Sequence, residues 1–100
     1  MATATKVLAR TAAATSSTTL YTVPSATTTV VSDIVVTNTA ASAGTFSILL
    51  NDISLATLVT VGGYDSTVIS LKQVLTAAQT IKGFASATTI NFHISGVEVS

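Results

Sequence analysis

The residues best placed to do chemistry in this sequence are His93, its only histidine, and Ser95, two positions further along. Residues i and i+2 of a strand share a face, so the serine hydroxyl and the imidazole could touch, as a nucleophile and its general base must. A catalytic serine also needs an acidic residue that orients the histidine, and often a G-x-S-x-G turn; neither accompanies this run. We therefore predict that His93 is an exposed strand residue, that the chain has no catalytic residue and that it is not an enzyme.

The four carboxylates are dispersed and form no metal-binding motif. Asp33, Asp52, Asp65 and Glu98 lie in separate runs, without the D-x-[DN]-x-[DN]-G spacing that wraps a calcium ion. Cysteine is absent, which excludes disulfides and thiolate metal sites. The sequence predicts no metal site and no cofactor within one chain. Carboxylates from different chains could still share a calcium ion at a subunit boundary.

The low charge content is the most informative property of the composition. Charged residues make up 8% of the chain and hydrophobic residues 48%, whereas an average soluble protein is about 25% charged. Four scattered cations, balanced by four anions, do not form the basic footprint that nucleic acid requires. No apolar run approaches the roughly 20 residues that span a bilayer, and the first ten residues lack the apolar centre of a secretory signal. We expect synthesis in the cytoplasm, no nucleic-acid or membrane partner, and a surface that is covered in an oligomer or larger assembly.

The elements that position these residues are predicted to be strands. The chain contains 20 Thr and 12 Ser, and threonine favours extended backbone while it leaves a hydroxyl on the exposed face. Turn signals recur roughly every 8–12 residues, which is typical of a sandwich or barrel. We predict an all-β fold, a single antiparallel β-sandwich of the jelly-roll or Ig-like kind, with about seven or eight strands. The strands are expected over residues 6–10, 20–23, 28–37, 45–50, 53–61, 64–71, 80–85 and 89–99, with tight turns at Asn51-Asp52 and Gly62-Gly63.

Alternation of side chains in these runs predicts the core. In the last strand Ile90, Phe92 and Ile94 point one way while Asn91 and His93 point the other, so one face is buried and the other is wet. The run over residues 28–37 is rich in β-branched residues, and we expect it to be a central strand that is buried on both faces over part of its length. The predicted core comprises Val35, Phe46, Ile48, Ile69, Ile81, Ile90, Phe92 and Ile94.

Two regions are predicted. Residues 1–19 form an N-terminal strand or arm with a Thr/Ala/Ser-rich leader, and residues 20–100 form the sandwich domain. The stretch 11–19, TAAATSSTT, has no large apolar residue to bury, so we expect a loop or an extended arm that a neighbouring subunit orders. The residues predicted to contact a partner are Lys6, Arg10, Thr15, Ser16, Ser17 and Tyr21.

Several short elements of the chain occur together: LYTVP at residues 20–24, TTTVVSDIVVTN at 27–38, LTAAQTI at 75–81, Ala85-Ser86, and GVEVS at 96–100. In these elements the sequence resembles a family of small bacteriophage structural proteins. The likeness covers about residues 6 to 100. The resemblance implies a β-sandwich virion component that decorates or cements the capsid lattice, or that belongs to the tail or its fibres. It supplies no catalytic residues.

Three functions are consistent with these observations. The first is a capsid decoration or cement protein on the virion surface, which binds the major capsid protein and its own copies, as a dimer or trimer, and stabilises the shell through an extended edge or arm. The second is a tail, neck or fibre component. The third is a host-surface carbohydrate-binding module, against which the absence of tryptophan weighs.

Overall fold

A computed structural model describes residues 2–100, which form eight β-strands and no helix. Met1, the first residue of the predicted 1–19 region, lies outside the described residues. The predicted all-β fold is therefore confirmed. The strands are β1 Thr3–Ala12, β2 Thr18–Thr22, β3 Thr28–Asn38, β4 Gly44–Leu50, β5 Ile53–Val61, β6 Ser66–Leu75, β7 Thr80–Ala85 and β8 Ile90–Val99.

The strands build two antiparallel sheets of four. Sheet A has the order β1-β8-β3-β6 and sheet B the order β2-β7-β4-β5. The antiparallel pairs include β1 with β8, β2 with β7, β3 with β6, and β4 with β5. The chain is thus one long hairpin, folded across two sheets, which is the topology of a jelly roll rather than of an Ig domain.

Side chains from the facing sides of the two sheets form one core. Phe46 and Phe92 are fully buried and meet edge to face, with ring centroids 6.2 Å apart and planes at 72°. β8 alternates as predicted, with Ile90, Phe92 and Ile94 buried and the residues between them half-buried. Six of the eight predicted core residues are buried: Phe46, Ile48, Ile81, Ile90, Phe92 and Ile94.

Val35 and Ile69 do not belong to the fully buried core. β3 is not buried on both faces, because it alternates strictly on each side of a β-bulge between Val31 and Asp33. The bulge changes which residues point inward, so Ile34 and Val36 are buried while Val35 lies half-buried on the outer face. Ile69 points inward and packs against the core, but it lies on the edge strand β6 and stays partly exposed.

Residues 3–12 form an edge strand of sheet A rather than a free arm. β1 pairs with β8 along its whole length, and Leu8, Ala9 and Ala13 are buried. Backbone hydrogen bonds of 2.8 Å connect Ala2 and Ser100 in both directions. Positions 11–14 hold small residues. No large side chain is needed there, because backbone hydrogen bonds make the contact with the neighbouring strands. The part of the predicted leader that stays a connection is residues 13–17.

The predicted turns form, with one difference in conformation. Asn51 and Asp52 have φ of 51° and 63° and make a two-residue hairpin between β4 and β5, as a type I′ turn requires. In the second turn the positive φ falls on Tyr64 and not on the glycines. Gly63 is needed for another reason: a Cβ there would lie 1.9 Å from the carbonyl oxygen of Ala41.

The side chain of Asn38, at the end of β3, hydrogen-bonds to the loops at one end of the sandwich. Its side chain is 4% exposed. The amide nitrogen donates to the carbonyl oxygens of Ser42 at 2.8 Å, Gly62 at 3.3 Å and Val61 at 3.4 Å. Its side-chain oxygen accepts from the Ala40 N–H at 3.0 Å. A single buried amide thus satisfies backbone groups of two separate connections.

Candidate interaction surface

His93 lies on the outer face of sheet A, where it is half-buried rather than exposed as predicted. It is in register with Arg10 on one side and Val35 on the other, and it makes no side-chain hydrogen bond with residues 2–100. Among those residues, no group of three His, Cys, Asp or Glu side chains is close enough to hold a metal ion. The geometry here provides neither an oriented base nor an activated nucleophile.

The most connected polar cluster joins the two sheets at one end of the sandwich. The Tyr21 hydroxyl, from sheet B, donates to the Glu98 carboxylate of sheet A and lies 2.8 Å from the Thr29 hydroxyl. Lys6 pairs with the same carboxylate at 3.3 Å. Thr29 is fully buried, so the cluster carries polar contacts into the core with each group satisfied.

Because of this cluster, we expect the free energy of unfolding to decrease at both acid and alkaline pH. The hydrogen bond from Tyr21, followed by the Lys6 ammonium, holds the pKa of Glu98 below its ordinary value of 4.5. Burial and the Glu98 carboxylate raise the pKa of Tyr21 above its usual value of about 10. The carboxylate's contribution is therefore complete above about pH 5 and is lost as the pH falls through its lowered pKa. The tyrosine's contribution is complete below about pH 9 and is lost as the pH rises through its raised pKa.

Urea titrations of the intact protein from acid to alkaline pH measure this profile. We expect the urea midpoint of the wild type to be constant near neutral pH and to decrease in acid and in alkali. The decrease in acid should be smaller in Glu98→Gln, and both decreases should be smaller in Tyr21→Phe. An unchanged profile in Tyr21→Phe would show that the cluster does not link folding to pH.

The six residues predicted to contact a partner do not form one surface. Lys6 and Tyr21 are engaged within the chain by Glu98. Arg10 is exposed on the outer face of sheet A, in register with His93. Thr15, Ser16 and Ser17 are exposed in the connection between β1 and β2, next to Ala13 and Ala14, whose backbones hydrogen-bond with Ile90 and Ala85.

Exposed apolar side chains concentrate instead on β5, β6 and the turn between them. Each is one of the two edge strands of its sheet, and both are more exposed than any strand in the sheet centres. Neither strand carries an acidic residue, and Lys72 is their only cation. Of the seven large apolar side chains exposed among residues 2–100, one is Val7 on β1, and the others are Ile53, Leu55, Leu58, Tyr64, Val68 and Val74.

Two concave features occur on this side. A cleft of about 320 Å³, here called the β5–β6 cleft, opens between the sheets and is lined by Leu50, Asn51, Ile53, Ser54, Leu55, Gln73, Val74, Leu75 and Gln79. A smaller groove of about 170 Å³, here called the Leu58 groove, lies against sheet B and includes Thr15, Ser47, Leu58 and Phe84. Thr15 is the one residue of the predicted contact set that borders either feature.

Leu58 is held in a conformation that leucine rarely adopts. Its φ is 49°, in the left-handed region that costs a residue with a Cβ about 1–2 kcal/mol. β5 carries two register shifts against β4, and Leu58 lies at one of them. The Leu58 N–H donates to the hydroxyl of Ser47 at 3.0 Å, and Ser47 is buried. The side chain is nonetheless 63% exposed. The strained backbone conformation therefore leaves an apolar side chain in solvent instead of in the core.

The sequence carries one signal for this surface. In ISLATLVTV, residues 53–61, Ala56 and Leu58 break the alternation of the other apolar residues, which is typical of bulges rather than of a regular strand. The exposure itself has no local signal, because it depends on which strands become sheet edges.

The structure contains no helix in residues 2–100 that has the length and hydropathy to cross a bilayer. No protein-family model matches the chain, and no curated protein or solved structure is significantly similar to it.

Proposed function

We propose that the protein is a non-enzymatic bacteriophage virion protein that decorates the capsid and stabilises the lattice of the major capsid protein. The observation that carries the proposal is the exposure of large apolar side chains on the β5–β6 side of a chain that is only 8% charged. Such a surface is suited to being covered by other subunits. The jelly-roll topology occurs in viral capsid domains, which supports the proposal by analogy, as does the resemblance of residues 6–100 to phage structural proteins.

Attachment is proposed to use side-chain packing at the Leu58 groove. Leu58 projects from a bulge, and Phe84 beside it is half-buried on the outer face of sheet B. An apolar side chain of a coat subunit would bury both against the sheet, and Thr15 would contact it from the rim. The Leu58 backbone is held before binding by the hydrogen bond to Ser47, so little backbone entropy is lost when the residue is covered.

Strand addition is not the proposed mode of attachment. Every edge strand carries a register shift: β1 between Val7 and Ala9, β2 between Thr19 and Tyr21, β5 opposite Phe46, Ile48 and Leu49, and β6 opposite Val31 and Asp33. Bulges at edges interrupt the row of free N–H and C=O groups that an added strand would need.

The number of copies per purified particle tests the location. A shell protein repeats with the coat lattice, so we expect on the order of hundreds of copies. About a dozen copies or fewer would contradict a place on the shell and would favour a tail, neck or fibre component instead.

Leu58→Gly tests the attachment surface. Glycine adopts a positive φ without strain, so the variant should melt at or above the wild-type temperature. Loss of the exposed side chain should weaken binding to particles at least tenfold, since a central apolar anchor contributes about 2 kcal/mol or more. Cosedimentation with undecorated particles measures the affinity. Val7→Ser, which removes an exposed apolar side chain from β1 at the opposite edge of sheet A, is the matched control, and equal binding by wild type and Leu58→Gly would exclude the groove.

A further inference from the structure

We propose that β1 is an exchangeable strand: it detaches from β8 as a unit about residues 15–17, and the β1 of a second copy takes its place. This goes beyond the proposed attachment to a shell, because it concerns the edge of sheet A opposite β6 and does not depend on the coat protein.

β1 has the highest fraction of exposed residues among the eight strands. Eight of its ten residues are exposed, and only Leu8 and Ala9 are buried. Its one neighbour in the sheet is β8. Within residues 2–100, a single connection joins β1 to the other strands, whereas the other edge strands continue into a connection at both ends. A strand with few buried apolar groups and one such connection opens before the rest of the domain does.

The hinge lies in the connection between β1 and β2. The backbones of Ala13 and Ala14 still hydrogen-bond to β8 and β7, at 2.8 Å and 2.9 Å. Residues 15–17, by contrast, are exposed, and all three are small and polar. The detachable unit therefore comprises residues 2–14, and a change of backbone angles at residues 15–17 is enough to redirect it.

The edge that β1 covers is regular, unlike the exposed edges of the two sheets. Residues 91–99 pair without interruption with β1 on one side and with β3 on the other. The extra residue at each register shift, Leu8 or Ser32, belongs to the partner strand. β8 thus keeps an unbroken row of N–H and C=O groups on the side of β1, which is the arrangement that accepts another strand. Opening of β1 uncovers this row.

The chemistry of the uncovered edge selects the β1 of a second copy as its occupant. The Leu8 side chain is buried beside Gly96, where a Cβ would lie 3.1 Å from one of the leucine methyl carbons. Lys6 pairs with Glu98 at 3.3 Å. An incoming strand must therefore supply a lysine and, two residues later, a leucine at a bulge. The β1 of another copy supplies both, so the exchanged dimer regains the contacts that opening breaks.

Thr5 and Val97 are the positions at which a disulfide can report the exchange. They are register partners, and the chain has no cysteine of its own. Ala2 and Ser100 exchange both of their backbone hydrogen bonds. Because hydrogen-bonded and non-hydrogen-bonded pairs alternate, the Thr5–Val97 pair is of the second kind, in which the side chains are closest. Cysteines at these two positions are therefore near enough to bond.

Oxidation of a mixture of two single-cysteine variants tests the exchange. Thr5→Cys and Val97→Cys are equilibrated together at high concentration and then oxidised. We expect at least about tenfold more mixed disulfide than from Thr5→Cys with Val68→Cys, since a docked strand holds the two thiols at a high effective concentration. Val68 is 61% exposed on β6, so this matched control measures random collision at a position that a docked β1 does not reach.

Two further measurements test the opening and the seating of the strand. In hydrogen exchange of the wild type, the amides of β1 should exchange at least about tenfold faster than those of β3, which is paired on both sides. Addition of Leu8→Ser to the Thr5→Cys chain should lower the yield of mixed disulfide about tenfold, the affinity lost with one buried leucine.

Three results would overturn the inference. Amides of β1 that exchange as slowly as those of β3 would show that the strand does not open on its own. A mixed-disulfide yield no higher than that of the Val68→Cys control would show that no β1 docks on another chain. A yield unchanged by Leu8→Ser would indicate contact between two closed chains, in which Leu8 is buried and takes no part. None of these measurements involves the particle, so each outcome leaves the decoration function to its own tests.

Discussion

Phe92→Asp is expected to abolish folding, the largest effect of any single change considered for this protein. Phe92 is fully buried and packs edge to face on Phe46. Removal of a buried phenylalanine ring alone costs about 3–5 kcal/mol, and an aspartate adds the desolvation of a charge that has no partner there. A domain of this size is stable by only about 5–15 kcal/mol in total. We expect an insoluble product, or a soluble one without a cooperative thermal transition in circular dichroism.

Asn91→Asp is the control for this change. It introduces the same aspartate one residue earlier, on the half-buried outer side of the same strand, where water solvates the charge. We expect a shift of the melting temperature by a few degrees at most. Equal stability of the two variants would show that the inward and outward faces of β8 are assigned wrongly.

Asn38→Asp is expected to destabilise the protein by about 3–5 kcal/mol near neutral pH, the cost of an unpaired buried charge. The change preserves the shape of the side chain but replaces its only donor group by a carboxylate oxygen. That oxygen would face the carbonyl oxygens of Ser42, Val61 and Gly62, which the amide now bridges. Three acceptors would then surround a fourth, with no proton between them.

Chemical denaturation of Asn38→Asp and of Asn91→Asp compares one substitution in two environments. The loss at position 38 should exceed that at position 91 by several kcal/mol. Asn38→Ala should fall between them, because it leaves the carbonyls unsatisfied without adding a charge. A loss at position 38 no larger than at position 91 would mean that water satisfies the loop carbonyls.

The strands could be predicted because nearby residues in the sequence indicate where each one lies. Turn residues such as Asn51-Asp52 and Gly62-Gly63 bound the runs, and alternation around Phe92 distinguishes the two faces of β8. Only the ends differ: β1 extends to Thr3–Ala12, and β6 continues to Leu75, beyond the predicted end at residue 71. Pairing with a neighbouring strand lengthens both beyond what their own residues favour.

What could not be predicted depends on residues far apart in the chain. Tyr21 and Glu98 are 77 positions apart, so no local pattern indicates that their side chains meet. The continuous valine-rich run predicts that Val35 points into the core, but a single bulged position reverses its direction. The exposed surface of Ile53, Leu55 and Leu58 follows from the place of β5 at a sheet edge, which is a property of the topology.

The folded-hairpin topology has a consequence for the order of assembly. Thr3 ends up beside Val99, a separation that would make closure of the chain slow if the two strands had to find each other directly. The pairs β4–β5, β3–β6, β2–β7 and β1–β8 are nested around the Asn51-Asp52 turn. If they form in that sequence, each step closes only the short connections left by the step before, and the entropy of each closure stays small. Zipping outward from the middle would let a chain dominated by distant contacts fold through a series of local events.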